Sequence, residues 1–430
     1  MIITVVALGK IGLPLAVQFA RKGHTVIGSD VNESTVRLVN EGVEPFPGEK
    51  SLAKYLAEVV KSGNLTATSD TTAAVTQSDA VVIVVPLFVD NQGLPDFDLM
   101  DAATNAIGLG LKPGTLVSYE TTLPVGTTRS RFAPALERIS GLKAGADFHL
   151  VFSPERVSTG RVFADLRKYP KLVGGIDEVS TKRGIEFYQE VLDFDFRADL
   201  DRDNGVWDLG SCEASELAKL AETTYRDVNI ALANQFALFS ESNGIDVHKV
   251  INASNSQPYS HIHQPGIAVG GHCIPIYPQF YLWNDPLASV VSAARTANNA
   301  MPARVVNNLV KIHGPIEGER VVVFGVAYRG EVKESAFSGV FPTVSALLEL
   351  GAIVLVHDPL YTDAELANLG FIPYHYGEGA DAAIIQTDHE EYRKLSSTQV
   401  PELKTLVDGR GVTKSANWLG VSYHVLGRPL

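Results

Sequence analysis

The stretch that decides the fold is residues 2–30, IITVVALGKIGLPLAVQFARKGHTVIGSD. Ile2 to Ala7 is an apolar run of the β type, a glycine-containing turn follows, Leu13 to Arg21 carries apolar side chains at helical spacing, and Thr25 to Ser29 is a second β-type run closed by Asp30. Strand, turn, helix and strand within about thirty residues make one βαβ unit. The turn reads Ala7-Leu8-Gly9-Lys10-Ile11-Gly12, with alanine at the first of three positions that a dinucleotide fingerprint fills with glycine. Gly9 lets the backbone approach a pyrophosphate, Gly12 lets the helix pack closely on the strand, and the helix amino terminus offers unpaired N–H groups to the anion. On the glycines alone, a tight structural turn serves equally well. The order strand, turn, helix, strand, Asp favours a cofactor, bound by Gly9, Lys10, Ile11, Gly12 and Asp30. A carboxylate at Asp30 accepts from both ribose hydroxyls and repels a 2′-phosphate, which favours NAD over NADP.

Outward from this unit the alternation continues. Ala80 to Val85, Thr115 to Tyr119, His149 to Phe152 and Lys171 to Gly174 are strand-like, with helices expected at Leu99 to Gly108 and Val179 to Val191. Alternating elements imply a parallel sheet covered by helices on both faces. From Ala214 to Asn243 apolar residues recur at three-four spacing without Gly or Pro, which predicts one long helix. Helical texture also runs from Pro286 to Asn308 around Pro302. A second α/β module begins at Glu319, with strands at Val321 to Phe324, Ile353 to His357, Ala382 to Gln386 and Thr405 to Asp408 and a helix around Thr343 to Leu350. The fold class expected is α/β, two Rossmann-like doubly wound parallel-sheet domains joined by a long central helix. The expected domains are 1–205, 206–305 and 306–430.

Composition bounds the function. The 430 residues are 45% hydrophobic and 20% charged, a globular balance too long for one core. With 36 Lys+Arg against 49 Asp+Glu the net charge is −13, which disfavours nucleic acid and anionic membranes as partners. A phosphorylated ligand must then be held by local amides and a few placed cations. The amino terminus lacks a basic, cleavable leader, and no apolar stretch reaches about 18 residues, so a cytoplasmic protein is expected.

Two cysteines, Cys212 and Cys273, build no disulfide framework. Cys212 lies at the start of the long helix and reads as a packed small hydrophobe. Cys273 lies in Val269-Gly-Gly-His-Cys-Ile-Pro-Ile-Tyr-Pro278, a loop opened by two glycines and stiffened by two prolines, where a thiol is reachable by a substrate or simply structural. A zinc site from His261, His263, His272 and Cys273 is the competing reading. Adjacent His272 and Cys273 normally diverge, and no further pair follows at finger spacing, so no metal is expected. The turn Gly325-Val-Ala-Tyr-Arg-Gly330 of the second module lacks close glycine spacing; it either binds a phosphate through amides and Arg329 or is structural.

Taken in order, ALGKIGLPLA from Ala7, YETTLPVGTT from Tyr119, FSPERVSTGR from Phe152, ELAKLAETTYRDVNIALANQ from Glu216, GGHCIP from Gly270, GVAYRGEVKES from Gly325, VHDP from Val356, TDHEEY from Thr387 and DGRG from Asp408 resemble the nucleotide-sugar 6-dehydrogenases nearly end to end. This is the family of UDP-glucose, GDP-mannose and UDP-N-acetylhexosamine dehydrogenases. The resemblance implies a homodimer formed through the long helix and a four-electron oxidation of a sugar nucleotide by two NAD. It implies Cys273 as nucleophile, Lys219 as oxyanion stabiliser, Glu155 as the carboxylate assisting water, and Thr122 as positioning water near the nicotinamide. By the same resemblance Pro86 and Thr122 touch the cofactor, while Glu155, Arg156, Lys219, Gly270, Gly271, Tyr328 and Arg329 meet the nucleoside-diphosphate sugar. Without it, Lys219 reads as a solvated helix lysine, Glu155 as a surface loop charge and Thr122 as a turn residue before Pro124.

Four departures stand against the family pattern. Tyr277 replaces an aspartate, Thr223 an asparagine, Ala336 approximately an arginine, and Pro86-Leu87-Phe88 a proline-threonine-proline turn. They mark either a rearranged subfamily or a catalytically silent sugar-nucleotide binder. His272 before the nucleophile and the Tyr225-Arg-Asp-Val-Asn-Ile230 run resemble the N-acetylhexosamine branch; UDP- or TDP-glucose is the other substrate expectation.

Overall fold

In a computed structural model, which describes residues 1–90 and 93–429, the chain divides into two compact units, Met1–Ala221 and Glu222–Leu430. The first is built on strands β1 (Ile2–Val6), β2 (Thr25–Ser29), β3 (Leu65–Thr68), β4 (Ala80–Ile83), β5 (Leu116–Tyr119), β6 (His149–Phe152), β7 (Lys171–Gly175) and β8 (Val206–Asp208). They lie side by side in the order β8-β7-β6-β5-β4-β1-β2-β3. The order reverses between β1 and β4, the switch point of a doubly wound sheet, beyond whose strand carboxyl ends such folds bind their ligands. The sheet is parallel except where β7 runs against β6, with Val151 opposite Gly175 and Phe152 opposite Gly174. The β6–β7 connection, including the short helix Val162–Lys168, therefore leaves and re-enters at the same edge of the sheet. Ile3, Val5, Val82, Leu116 and Val151 are fully buried in the core of this unit, as strands covered on both faces require.

The second unit carries β9 (Arg320–Phe324), β10 (Ile353–His357), β11 (Ala382–Ile385), β12 (Thr405–Asp408) and β13 (Ser422–Val425) in the order β10-β9-β11-β12-β13. All neighbours are parallel, and the switch point falls between β9 and β11. Two-residue periodicity sends Val321 and Val323 into one core and Val322 and Phe324 into another. The long helix spans Cys212–Ser242 as its uninterrupted periodicity requires, its first turns counted with the first unit and the remainder with the second. The helical texture around Pro302 resolves into Ser289–Asn299 and Met301–His313, with the proline in the first turn of the second helix, where its missing N–H costs nothing. Among the described residues, no helix is long and apolar enough to cross a membrane.

Both modules use one device at the turn after their first strand. Ala7 adopts φ 75° and donates its N–H to the Ser29 carbonyl at 2.7 Å. Gly325 adopts φ 111° and donates to the His357 carbonyl at 2.7 Å. The first module thus holds a Cβ in the left-handed region, which costs about 1–2 kcal/mol. Ala7→Gly is expected to raise the unfolding free energy of the first unit by on the order of 0.5–1 kcal/mol, the relief net of glycine's larger unfolded-state entropy, read from urea denaturation.

Candidate active site

In the first unit the expected site residues follow the carboxyl ends of neighbouring strands. Gly9 to Gly12 follow β1, Pro86 follows β4, Thr122 follows β5 and Glu155 follows β6, while Asp30 closes β2. A Cβ on Gly12 would stand 1.9 Å from the Ala7 carbonyl oxygen and 2.7 Å from Val84 Cγ2, so only glycine lets the helix sit this close. A Cβ on Gly9 would meet nothing within 4 Å, so the fold itself has room for a side chain at this position. The helix Gly12–Arg21 has no side-chain cap and no acidic residue in its first turn, which leaves its amino terminus fit for an anion. Asp30 Oδ2 accepts from Leu8 N at 2.7 Å and Oδ1 from Asn32 N at 2.8 Å. Each oxygen retains a lone pair for a ribose hydroxyl, so these residues fit a dinucleotide. Lys10 and Pro86 are exposed, Ile11 is half-buried, and Thr122 is buried.

Lys219 is 7% exposed, on the long helix. A solvated helix lysine is thereby replaced by one enclosed in protein. Three residues earlier, Glu216 is fully buried and accepts from Gly126 N at 2.5 Å, Thr128 N at 2.9 Å and Thr128 Oγ1 at 2.7 Å. It fastens the TTLPVGTT loop to the helix that carries Lys219. Burial pushes the Glu216 carboxyl up to about 7 despite these donors.

Glu155 is not a surface charge. Its Oε1 accepts from Arg156 N at 2.7 Å and Val157 N at 3.2 Å, and its Oε2 lies 3.0 Å from Lys171 Nζ. The same ammonium lies 2.7 Å from Oε2 of Glu120, which is 0% exposed. Arg156 donates from Nη1 to the Pro170 carbonyl at 3.2 Å, a contact within the loop. No site role is expected of Lys171 or Glu120 from the sequence, although each stands at the end of a buried strand, where an ionisable residue needs a partner.

In the second unit Cys273 is exposed, and its carbonyl accepts from Tyr277 N at 2.9 Å, starting the helix Tyr277–Asn284. Tyr277 stacks on Phe280 with ring centroids 5.8 Å apart. The two glycines before the thiol press on the Tyr328 turn. A Cβ on Gly270 would stand 2.7 Å from Tyr328 Cβ, and one on Gly271, at φ 88°, would stand 3.0 Å from its ring. Gly271 N donates to the Ala336 carbonyl at 2.9 Å. Arg329 is exposed beside the β9–β11 switch point, its guanidinium 5.7 Å from the Tyr328 ring centre. His272 Nε2 lies 3.7 Å from Glu334 Oε2. His263 packs on Tyr225 instead of gathering with His272 and Cys273. Among the described residues, no group of three or more His, Cys, Asp or Glu side chains could hold a metal. Cys212 is fully buried, with its thiol 3.3 Å from the Gly174 carbonyl, and burial pushes its ionisation far up.

A dinucleotide-type strand-turn-helix and a second doubly wound module define the class of an NAD-linked oxidoreductase. The chain belongs to the UDP-glucose/GDP-mannose dehydrogenase family. Residues 1–192 match that family's NAD binding domain, 213–300 its central domain and 322–415 its UDP binding domain. UDP-N-acetyl-D-mannosamine dehydrogenase of Pyrococcus horikoshii is 32% identical over 436 residues, covering 99% of each chain. The solved structure of the Pyrococcus horikoshii UDP-D-ManNAc dehydrogenase superposes with a TM-score of 0.88 at 30% identity, over 100% of this chain and 99% of that one. A UDP-glucose dehydrogenase structure from Pyrobaculum islandicum gives 0.86 at 26% identity, over 99% and 98%.

Gly9→Ala is expected to leave the melting temperature of the free protein unchanged while weakening NAD binding at least about tenfold, because the added methyl occupies only the space a pyrophosphate needs. Isothermal titration and thermal melting of the same variant check both halves.

Proposed function

We propose that the chain oxidises the C6 hydroxymethyl of a nucleoside-diphosphate hexose to the uronic acid, with UDP-N-acetylhexosamine the preferred substrate and UDP- or TDP-glucose the runner-up. The observation that carries the reading is the succession of Gly9, Pro86, Thr122 and Glu155 beyond the carboxyl ends of adjacent strands, together with an exposed Cys273 on a glycine-fixed loop. His272 and the N-acetylmannosamine activity in the name of the Pyrococcus relative support the N-acetylhexosamine choice.

NAD, when bound, takes up the hydride at each of two oxidations. The Cys273 thiolate adds to the C6 aldehyde left by the first, holding it as a thiohemiacetal while the cofactor exchanges, and the second oxidation converts this to a thioester. Lys219 offers its ammonium to the oxygen that gains negative charge. Thr122 orients water near the nicotinamide, and Glu155 assists the water that releases the acid. Tyr328 and Arg329 receive the nucleotide end, with Arg329 facing diphosphate charge. Arg156, Gly270 and Gly271 complete the substrate contacts. The proposed division of labour is NAD binding in 1–205, a helical dimerisation segment in 206–305 and sugar-nucleotide binding in 306–430.

Tyr225, Leu232, Phe236 and Phe239 are exposed on the long helix at spacings of seven, four and three, a single apolar face that supports a homodimer. Sedimentation equilibrium of the full chain should give twice the chain mass; a monomer at micromolar concentration overturns it. A need for continuously recycled NAD and nucleotide sugar supports a cytoplasmic location.

A panel of UDP-, TDP- and GDP-sugars should yield about two NADH per sugar with the true substrate, and Cys273→Ser should stop acid formation. A ratio near one with free aldehyde released overturns the two-step scheme. Ligand-induced stabilisation with no NADH from any donor would instead identify the silent binder that Tyr277 and Ala336 leave open.

A further inference from the structure

The Glu120–Lys171–Glu155 cluster lies wholly within the first unit, beneath the edge that presents Thr122 and Glu155. Two carboxylates share one ammonium, and Glu120 and Lys171 are almost completely enclosed. With both carboxylates ionised the cluster keeps an uncompensated negative charge in a buried place, which is costly; one proton makes it neutral. We propose that Glu120 and Glu155 share a single exchangeable proton across Lys171, and that Lys171 and Glu120 are positioning residues that leave the negative charge on Glu155. The proposal rests on the reading of Glu155 as the carboxylate that assists water.

The geometry is asymmetric in the direction this requires. Glu155 is held by two backbone N–H groups of its own loop, both on Oε1, and by Lys171 on Oε2, donors that favour an ionised carboxylate. Glu120 has Lys171 on Oε2 and the Tyr188 hydroxyl on Oε1 at 2.6 Å, and Tyr188 is in turn 2.7 Å from Ser118 Oγ. Hydroxyls can reverse, so this chain tolerates a proton on Glu120. Burial pushes Glu120 up to about 7, countered by Lys171. Burial also opposes ionisation of Glu155, but Lys171, Glu120 and the Arg156 amide together outweigh it and hold Glu155 below the usual carboxylate range. Among the neighbouring titratable groups, Tyr169 lines the same loop pocket as Glu155 and Lys171. Lys171 lies 4.8 Å from the Tyr188 ring centre, Arg156 points to the Pro170 carbonyl, and buried Asp165 takes Ser158 N and Arg161.

The proton balance follows. As the water oxygen bonds to the thioester carbon, one of its protons passes to Glu155. The electron pair of the breaking carbon–sulfur bond stays on the Cys273 sulfur, and the second proton leaves when the acid product ionises. With both carboxyls protonated the cluster would carry the unbalanced charge of Lys171, so one proton is released and Glu155 returns to its ionised form.

The test uses the full-length enzyme. Infrared difference spectra between pH 5 and 9 should show a protonated-carboxyl band that disappears as pH rises through neutrality and that is missing from Glu120→Gln. A band unchanged in that variant, or no titrating band, overturns the shared proton. Lys171→Met should shift the acid limb of kcat for acid formation upward by at least about one pH unit, because Glu155 loses the cation that keeps it ionised, with KM little changed; Lys171→Arg should restore the limb. An unshifted limb in folded Lys171→Met overturns the positioning role. Glu155→Gln tests the underlying reading separately: full acid formation by that variant removes Glu155 from hydrolysis, while the infrared result still decides whether the pair shares a proton.

Discussion

A carboxylate at the end of the second strand of each module grips the turn that follows the first strand, and the two sites depend on this latch. Asp30 takes Leu8 N, and Asp358 takes Val326 N at 2.7 Å and Ala327 N at 3.0 Å. Each latch holds a strand-to-helix turn with its backbone N–H groups directed and its first residue in the left-handed region. The repeated device has diverged in one respect. Asp30 is half-buried and keeps acceptor capacity for a ribose, whereas Asp358 is enclosed and spends its remaining capacity on buried His389, 3.1 Å away, and on Leu360 N. Hydrogen bonding from His389 and backbone amides holds Asp358 below the ordinary carboxylate range although burial opposes it. The second module therefore carries the fold of a dinucleotide binder without a ribose acceptor at that place, and its family role is UDP binding.

The reversal of β7 has a chemical consequence. A parallel β7 would have to cross the sheet and enter from the opposite edge, putting its first residue far from the carboxyl ends of β5 and β6. Running antiparallel, it presents Lys171 at the edge where Glu120 ends β5 and Glu155 follows β6. The charge that fixes Glu155 thus comes from topology, not from the loop motif around Glu155.

Much of this was legible in residues 2–30, because a buried parallel strand, a glycine turn and an amphipathic helix each leave a strong period. The strands without a sequence signal, β3, β8 and β13, are all at sheet edges, where one flank is unpaired and burial is partial, so LTAT, VWD and SYHV need no apolar run. The position of Glu155 was legible from the resemblance, but its confinement was not, because Lys171 and Glu120 are 16 and 51 positions apart from their partners in sequence and meet only when the sheet forms. Lys219 shows the same limit: periodicity placed it on the helix without saying that its face would be covered.

The fastening of Gly270 and Gly271 to Tyr328 and Ala336 bears on how such enzymes can be recombined. Although Cys273 lies some fifty residues upstream of Tyr328 in sequence, its loop rests on the turn of the nucleotide-binding sheet. A chimera joined just before β9 would separate two surfaces that fit through the absence of side chains on one of them. A junction placed upstream of Gly270 would transfer the thiol loop and its seat together, as one inherited part.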